Sequence, residues 1–326
     1  MIHLEKNIIF CYNDKKQAKM QEEITMLSYY RDFVCHYYAP SHPAYAPLLE
    51  AGEVILTRFG GEMEEMVEQM YQNNCNIYLS KDQRKDLANR SGVNFYTLNY
   101  IFLVCASRKA KAMYQEKGYS EALFYDTFED LDYKLQECYA MHGVYGNFVE
   151  WWYAIFYRLK CFKLGRLEFE PVTYHPDTPY TKDGLTIEKG ATVLSVHIPA
   201  SGPMTTESRL DSYRRAYEFF PECIYDGKLV MICDSWLLYR GNREMFPPEL
   251  NIYQFTLDWD IIISNEDPHF RDCWRLFYTN YQGDPSALPY DNRARRAVVD
   301  WLKAGKHCGT GYGIAFFDGE KLLTNN

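Results

Sequence analysis

The chain is predicted to fold as an α+β protein, with a helical N-terminal domain over 1–160 and a mixed β-sheet flanked by helices over 161–326. Three observations predict this. Apolar residues recur at helical spacing through the first half. Near Cys161 that period gives way to alternation. From Ala191 to Leu238 the chain reads strand, loop, helix, strand: ATVLSVHIP, ASGPMTTES, RLDSYRRAYEFF and KLVMICDSWLL. A length of 326 residues suits two domains.

In chain order, Gln17 to Tyr38 places Met20, Ile24, Leu27, Tyr30 and Val34 on one helical face. APSHPAYAP should stop that helix with three prolines. Gly61 to Gln72 and Asn94 to Lys117 read as the next helices, the latter ended by Gly118. Helices from about Ala122 to Tyr139 and Phe148 to Lys160 follow. The second lies in an aromatic run, GNFVEWWYAIFYRLKCF. Aromatic helix faces mostly serve packing, so a buried interdomain helix is expected. A substrate wall using Tyr145, Trp151 and Trp152 is the functional alternative.

Beyond Cys161, LGRLEFEPV and LTIEKG read as strands joined by a hairpin-like connection. Glu168 and Glu170 are expected on the exposed face of the first. After Leu238 come a loop with Pro247-Pro248, a helix-like ELNIYQFTLDWDI and a strand-like CWRLFYTNY. A helix from about Asp291 to Lys303 and a final strand, YGIAFFD, close the chain.

Composition narrows the function. A formal net charge of -9 argues against a general nucleic-acid binder, which needs a basic footprint. The ten cysteines form no C-x-x-C pair and stand at no zinc-finger spacing from a histidine, so they read as buried reduced thiols. His269 and His307 lack companion ligands, and no metal is expected. MIHLEKNIIFCYND has no signal-peptide core, and no apolar run is long enough to span a membrane. A cytoplasmic protein without a membrane partner is expected.

The stretch from Ala191 looks built around a ligand. Alternation puts Val193, Ser195 and His197 on one face of the strand, and Pro199 should splay or end the sheet. Ser201-Gly202-Pro203 turns the chain, and Thr205, Thr206 or Ser208 can cap the following helix. Backbone N–H groups in such a loop favour an anion. Ile198, Ala200, Ser201, Gly202, Met204, Thr205, Thr206 and Arg209 are the candidate binding residues. Cys233, Asp234 and Ser235 end the second strand, with Asp234 on the opposite face from its two neighbours.

FKLGRLEFEP, LSVHIPASGPM, the YEFF helix end and CDSWLL carry a resemblance, as does QGDPSALPYDNRARRAVVDWLKAG before GYGIAFF. Together they resemble the GNAT acyltransferases, specifically bacterial proteins joining a helical N-terminal domain to a GNAT-like C-terminal domain. The usual Gln/Arg-x-x-Gly-x-Gly/Ala signature is absent. The resemblance implies acetyl-CoA or another acyl-CoA as co-substrate, held in the gap between two splayed strands. It implies an amine acceptor on a small molecule or peptide, with acetyl the expected acyl group. His197 is then the candidate general base, since its ordinary pKa lies near neutrality. Ser235 or Cys233 would reprotonate the CoA sulfur, Asp234 would orient His197, and N–H groups from Ile198 to Ala200 would polarise the carbonyl. Two alternatives stand beside this reading: a non-catalytic scaffold for CoA, a related ligand or a protein partner, and a thiol hydrolase using Cys233.

Overall fold

A computed structural model of the protein describes residues 25–323. It is an α+β protein, helical first and then a mixed sheet with helices on its faces. By compactness the chain forms two units, Met1–Lys109 with Tyr145–Trp151, and Ala110–Val144 with Trp152–Asn326.

The first unit holds α1 (Met26–Tyr37), α2 (Tyr45–Gln72), α3 (Lys81–Ser91) and the start of α4 (Phe95–Glu116). The stretch of the expected first helix over 17–24 lies outside the described residues. Thr25 caps α1 by accepting the Ser28 N–H at 3.1 Å. The expected helix from Gly61 is longer and begins at Tyr45, because Pro47 sits in the first turn, where no helical N–H is needed. A kink at Phe59 (φ -132°), just before Gly60-Gly61, divides it. Gly52 lets α2 approach α1: a Cβ there would lie 2.1 Å from the Tyr30 ring. α3 has almost no apolar face to betray it in the sequence, yet it buries Arg84 and Leu87.

The second unit begins with the rest of α4, then α5 (Glu121–Phe128), α6 (Asp130–His142) and the single turn α7 (Ala154–Tyr157). Its strands are β1 (Phe162–Leu164), β2 (Leu167–Thr173), β3 (Tyr180–Lys182), β4 (Leu185–Ile187) and β5 (Thr192–His197). α8 (Thr206–Phe219) leads to β6 (Ile224–Tyr225) and β7 (Lys228–Ser235). Then come α9 (Asn242–Met245), α10 (Asn251–Leu257), β8 (Asp260–Asp267), α11 (Cys273–Phe277), α12 (Arg293–Lys303) and β9 (Cys308–Phe317). The main sheet runs β1-β2-β5-β7-β9-β8, with β6 beside β7, while β3 and β4 form a separate hairpin. That hairpin turns at Asp183-Gly184, both with positive φ (49° and 78°), as a tight Asp-Gly turn requires.

Within this unit α4, α5 and β1 share aromatic packing: Tyr114 meets the rings of Phe124, Phe128 and Phe162. One sheet face buries Val193, Val230 and Ile232 with Tyr174 and Ile187. The opposite face lies under α8, whose Tyr213 ring packs 6.0 Å from that of Phe317.

Two expected strands need correction. LGRLEFEPV is a β-hairpin rather than one strand, turning at Gly165 (φ +73°). CWRLFYTNY is not a strand: Cys273–Phe277 is a helical turn that puts Cys273, Leu276 and Phe277 into a cluster with Phe270 and Val298. One further strand of the C-terminal half, β8, begins in the last two residues of the helix-like ELNIYQFTLDWDI, whose helix ends at Leu257, and runs on to Asp267.

Candidate active site

The site is a break in the sheet of the second unit. β5 and β7 are parallel neighbours, but their register has only two rungs, Leu194 with Met231 and Ser195 with Ile232. Beyond these, each strand follows its outer neighbour. β5 stays paired to β2 as far as His197 with Glu168. β7 stays paired to β9 as far as Ser235 with Gly311. The strands therefore diverge after Ser195, before β5 ends at His197 and ahead of Pro199. The gap leaves backbone groups on both rims without a cross-strand partner.

Side chains reach this gap from two faces. Paired residues share a face, so Ser195, His197, Glu168 and Glu170 lie on one side, with Asp234 level with His197 across the gap. Cys233 and Ser235 lie on the other. Cys233 is fully buried, burial pushes its thiol well above the ordinary range, and the sheet separates it from His197. This corrects both the thiol-hydrolase alternative and Cys233 as proton donor. Ser235 stands at the rim, where its Oγ accepts the Leu237 N–H at 3.2 Å.

His197 is held on two sides. Its Nε2 lies 3.3 Å from Glu170 Oε2, with the two side chains 24% and 17% exposed. The Trp152 ring meets its ring nearly at right angles, 4.8 Å between centroids. The carboxylate on His197 is thus Glu170, not Asp234 as expected. Asp234 is exposed as a residue, though partial desolvation of its carboxyl and then the charge of Asp272 push its pKa up.

Neither glutamate of β2 is on an exposed face. Glu168, directly opposite His197, is 1% exposed, and its Oε1 has no hydrogen-bond partner. Burial and then the charge of Asp130 push its carboxyl well above the ordinary 4.5. Asp130 is equally buried and accepts from the Tyr153 hydroxyl at 2.9 Å. Opposite Glu168 on the other side, Lys163 is occupied by Glu129 at 2.6 Å and Tyr133 at 3.2 Å. Sequence reasoning missed this arrangement because alternation in LEFEPV gives the glutamates' shared face, not what covers it. The cover comes from Asp130, Tyr153 and Lys163, all of the second unit.

The loop between β5 and α8 is fixed by an arginine that the sequence did not single out. Arg166 Nη1 donates to Pro199 O at 2.9 Å and Nη2 to Gly202 O at 3.2 Å. Gly202 turns the loop at φ +61°, with open space where a Cβ would stand. Ala200, Gly202, Thr205 and Thr206 are exposed, Ile198 and Ser201 half-buried, and Met204 buried. Thr205 caps α8 through the Ser208 N–H at 3.2 Å. Among the described residues, the N–H groups of Ala200, Ser201, Gly202 and Met204 meet no protein acceptor.

Arg209 requires a correction. It is 1% exposed and paired with Asp258 through Nε at 2.6 Å and Nη2 at 3.0 Å. Its Nη1 donates to Met204 O at 3.0 Å, so the guanidinium is consumed inside the fold. Tyr145 and Trp151 belong to the first unit, whereas Trp152 belongs to the second and meets His197. Among the described residues no group of His, Cys, Asp and Glu is arranged to hold a metal ion, and no helix is long and apolar enough to cross a membrane.

Two parallel strands that splay over a helix-headed loop, with a histidine on the rim, define an acyltransferase of the GNAT type. Family comparison agrees. The model described as an N-acyltransferase N-terminal domain matches residues 32–159, and that described as a GNAT-like C-terminal domain matches residues 161–315. The chain belongs to the GNAT-like acyltransferases that join these two domains.

Solved structures share the fold. An acyltransferase in complex with CoA and 10C-Teicoplanin is 24% identical, with a TM-score of 0.55 over 67% of this chain. This chain spans 65% of that relative's length. An acyltransferase in complex with decanoyl-CoA and teicoplanin is 21% identical, with a TM-score of 0.65 over 87% of this chain and 86% of that one. No curated protein matches the sequence.

Proposed function

We propose that the protein moves an acyl group from acyl-CoA to an amine by direct attack in a ternary complex. The observation that carries this is the splaying of β5 and β7 beyond Ser195 and Ile232, with His197 on the rim. The thioester lies in that gap. The pyrophosphate lies on the loop at Ser201, Gly202 and Met204, whose free N–H groups replace the missing glycine signature. His197 takes a proton from the acceptor nitrogen, which attacks the carbonyl carbon. The N–H groups of Ile198 and Ala200 donate to the carbonyl oxygen as it gains charge, since Pro199 between them has none. The C–S bond breaks, and the thiolate takes up a proton from the Ser235 hydroxyl at the rim, which regains one from solvent as the imidazolium of His197 releases its own. One proton leaves the neutral amine and one joins the sulfur, so amide and CoA thiol are the products.

Acetyl is the acyl group expected from the sequence. Relatives of this fold were solved with decanoyl-CoA and octanoyl-CoA, which supports a longer chain. Teicoplanin in the complexes of such relatives supports a small-molecule acceptor. A cytoplasmic setting is proposed on cysteine burial: eight of the nine described cysteines are buried.

The test is calorimetry with acetyl-, octanoyl- and decanoyl-CoA, followed by turnover of the His197→Ala variant. Loss of roughly 10²- to 10⁴-fold in kcat is expected for a lost general base. Full turnover in that variant removes His197 from the chemistry. Binding of acyl-CoA without transfer to any amine favours the non-catalytic scaffold, and no binding at millimolar ligand removes both readings.

A further inference from the structure

Two glutamates of β2 share the face of His197, and only one touches it. Glu168 is the cross-strand partner of His197, yet the contact runs diagonally to Glu170, at 3.3 Å. Glu168 turns instead to a closed environment, 1% exposed, within the fields of Asp130, Lys134, Lys163 and Arg166. The two carboxyl groups are chemically separated although they stand two residues apart.

Resting on His197 as the base, we propose that Glu170 is its positioning residue: it accepts the Nε2–H and leaves Nδ1 as the nitrogen that takes the acceptor's proton. A carboxylate has no proton to give, so Nε2 must be the donor in this contact. That fixes the neutral tautomer, and with it the nitrogen that remains basic. Trp152 closes one side of the ring at 4.8 Å and limits its rotation. When the amine attacks, its N–H proton passes to Nδ1 and the C–N bond forms as the C–S pair leaves with sulfur. The resulting imidazolium then stands against Glu170, as imidazolium stands against carboxylate in hydrolase triads.

The test uses full-length protein labelled with ¹⁵N-histidine. The His197 signals are assigned by their absence in a His197→Gln sample. We expect a slowly exchanging Nε2–H resonance that disappears in Glu170→Ala. In the same variant kcat falls about 10²-fold, the size of a general-base contribution, while KM for acyl-CoA stays within about twofold. Glu170→Gln keeps the side-chain shape and controls for folding. It lowers kcat as well, because a carboxamide stabilises the imidazolium less, and its melting temperature stays that of the parent. A proton on Nδ1 in the parent protein overturns the proposal, as does a resonance and rate unchanged in Glu170→Ala. If His197→Ala keeps full turnover while the resonance behaves as expected, the base assignment is what fails, and the catalytic role of Glu170 falls with it.

Discussion

Arg209 and Asp258 face each other inside the second unit through two short contacts, 2.6 and 3.0 Å, from the first turn of α8 to the residue after α10. The pair also ties Met204 O and Gln254 O to one guanidinium. An arginine beside an anion-binding loop invites assignment to the ligand, but this one is a bolt in the fold. Arg209→Ala leaves Asp258 buried without its cation and should cost about 3–5 kcal/mol. Chemical denaturation measures it. The double variant Arg209→Met with Asp258→Leu should recover much of that loss. A single variant of parental stability with weakened acyl-CoA binding would return Arg209 to the ligand.

Arg166 is the arginine that serves the loop, from outside it. Its two donors hold Pro199 O and Gly202 O in one geometry. Arg166→Ala should raise KM for acyl-CoA about tenfold, the equivalent of one or two lost hydrogen bonds. kcat at saturating donor should change little, since the reacting centre is untouched. Steady-state kinetics separate the two outcomes.

Gly202 gives a test of backbone rather than contact. At φ +61° with open space around it, Gly202→Ala meets no clash, only the left-handed backbone penalty. The expected stability loss is about 1 kcal/mol. Calorimetric melting reads it directly.

Glu168 predicts an unusual pH dependence. Its carboxyl is raised in the folded protein above 4.5 by burial and then Asp130. The unfolded chain therefore ionises first as pH rises, and stability is lost progressively above 4.5 until the folded carboxyl also ionises. Glu168→Gln mimics the neutral acid and removes this loss. The variant should match the parent below that pH and exceed it in melting temperature above it. Melting curves from about pH 4 to about pH 8 are the check.

Thiol labelling tests the separation of sheet faces. Cys35 is exposed, whereas Cys233 is sealed and its thiol is held protonated by burial. Iodoacetamide at neutral pH should modify Cys35 and leave Cys233 intact, read by peptide mass mapping. Rapid alkylation of Cys233 would reopen thiol chemistry at this rim.

The strands and helix of the central motif were legible because their apolar periods are strong: VLSVHI, the Tyr213 face of α8, and LVMIC. His197 could be placed on its face by parity alone. Its partner could not. Glu168 and Glu170 have identical parity and identical chemistry, and only the cover supplied by Asp130 and the Tyr153 hydroxyl distinguishes them. Parity also assigned Cys233 and His197 to opposite faces only once the β5–β7 register was known. α3 escaped notice because its exposed face dominates its composition. β8 escaped because an edge strand following a helix directly leaves no turn signal to divide them.

The two-rung ladder between β5 and β7 has a mechanical consequence. The main sheet is two leaves, β1-β2-β5 on one side and β7-β9-β8 with β6 on the other, stitched along a single short hem. Each leaf is internally laced by long antiparallel pairings, so strain from a bulky occupant travels to the hem rather than into either leaf. Parting the leaves would break only the rungs at Leu194 with Met231 and Ser195 with Ile232, and would leave the lacing on either side intact.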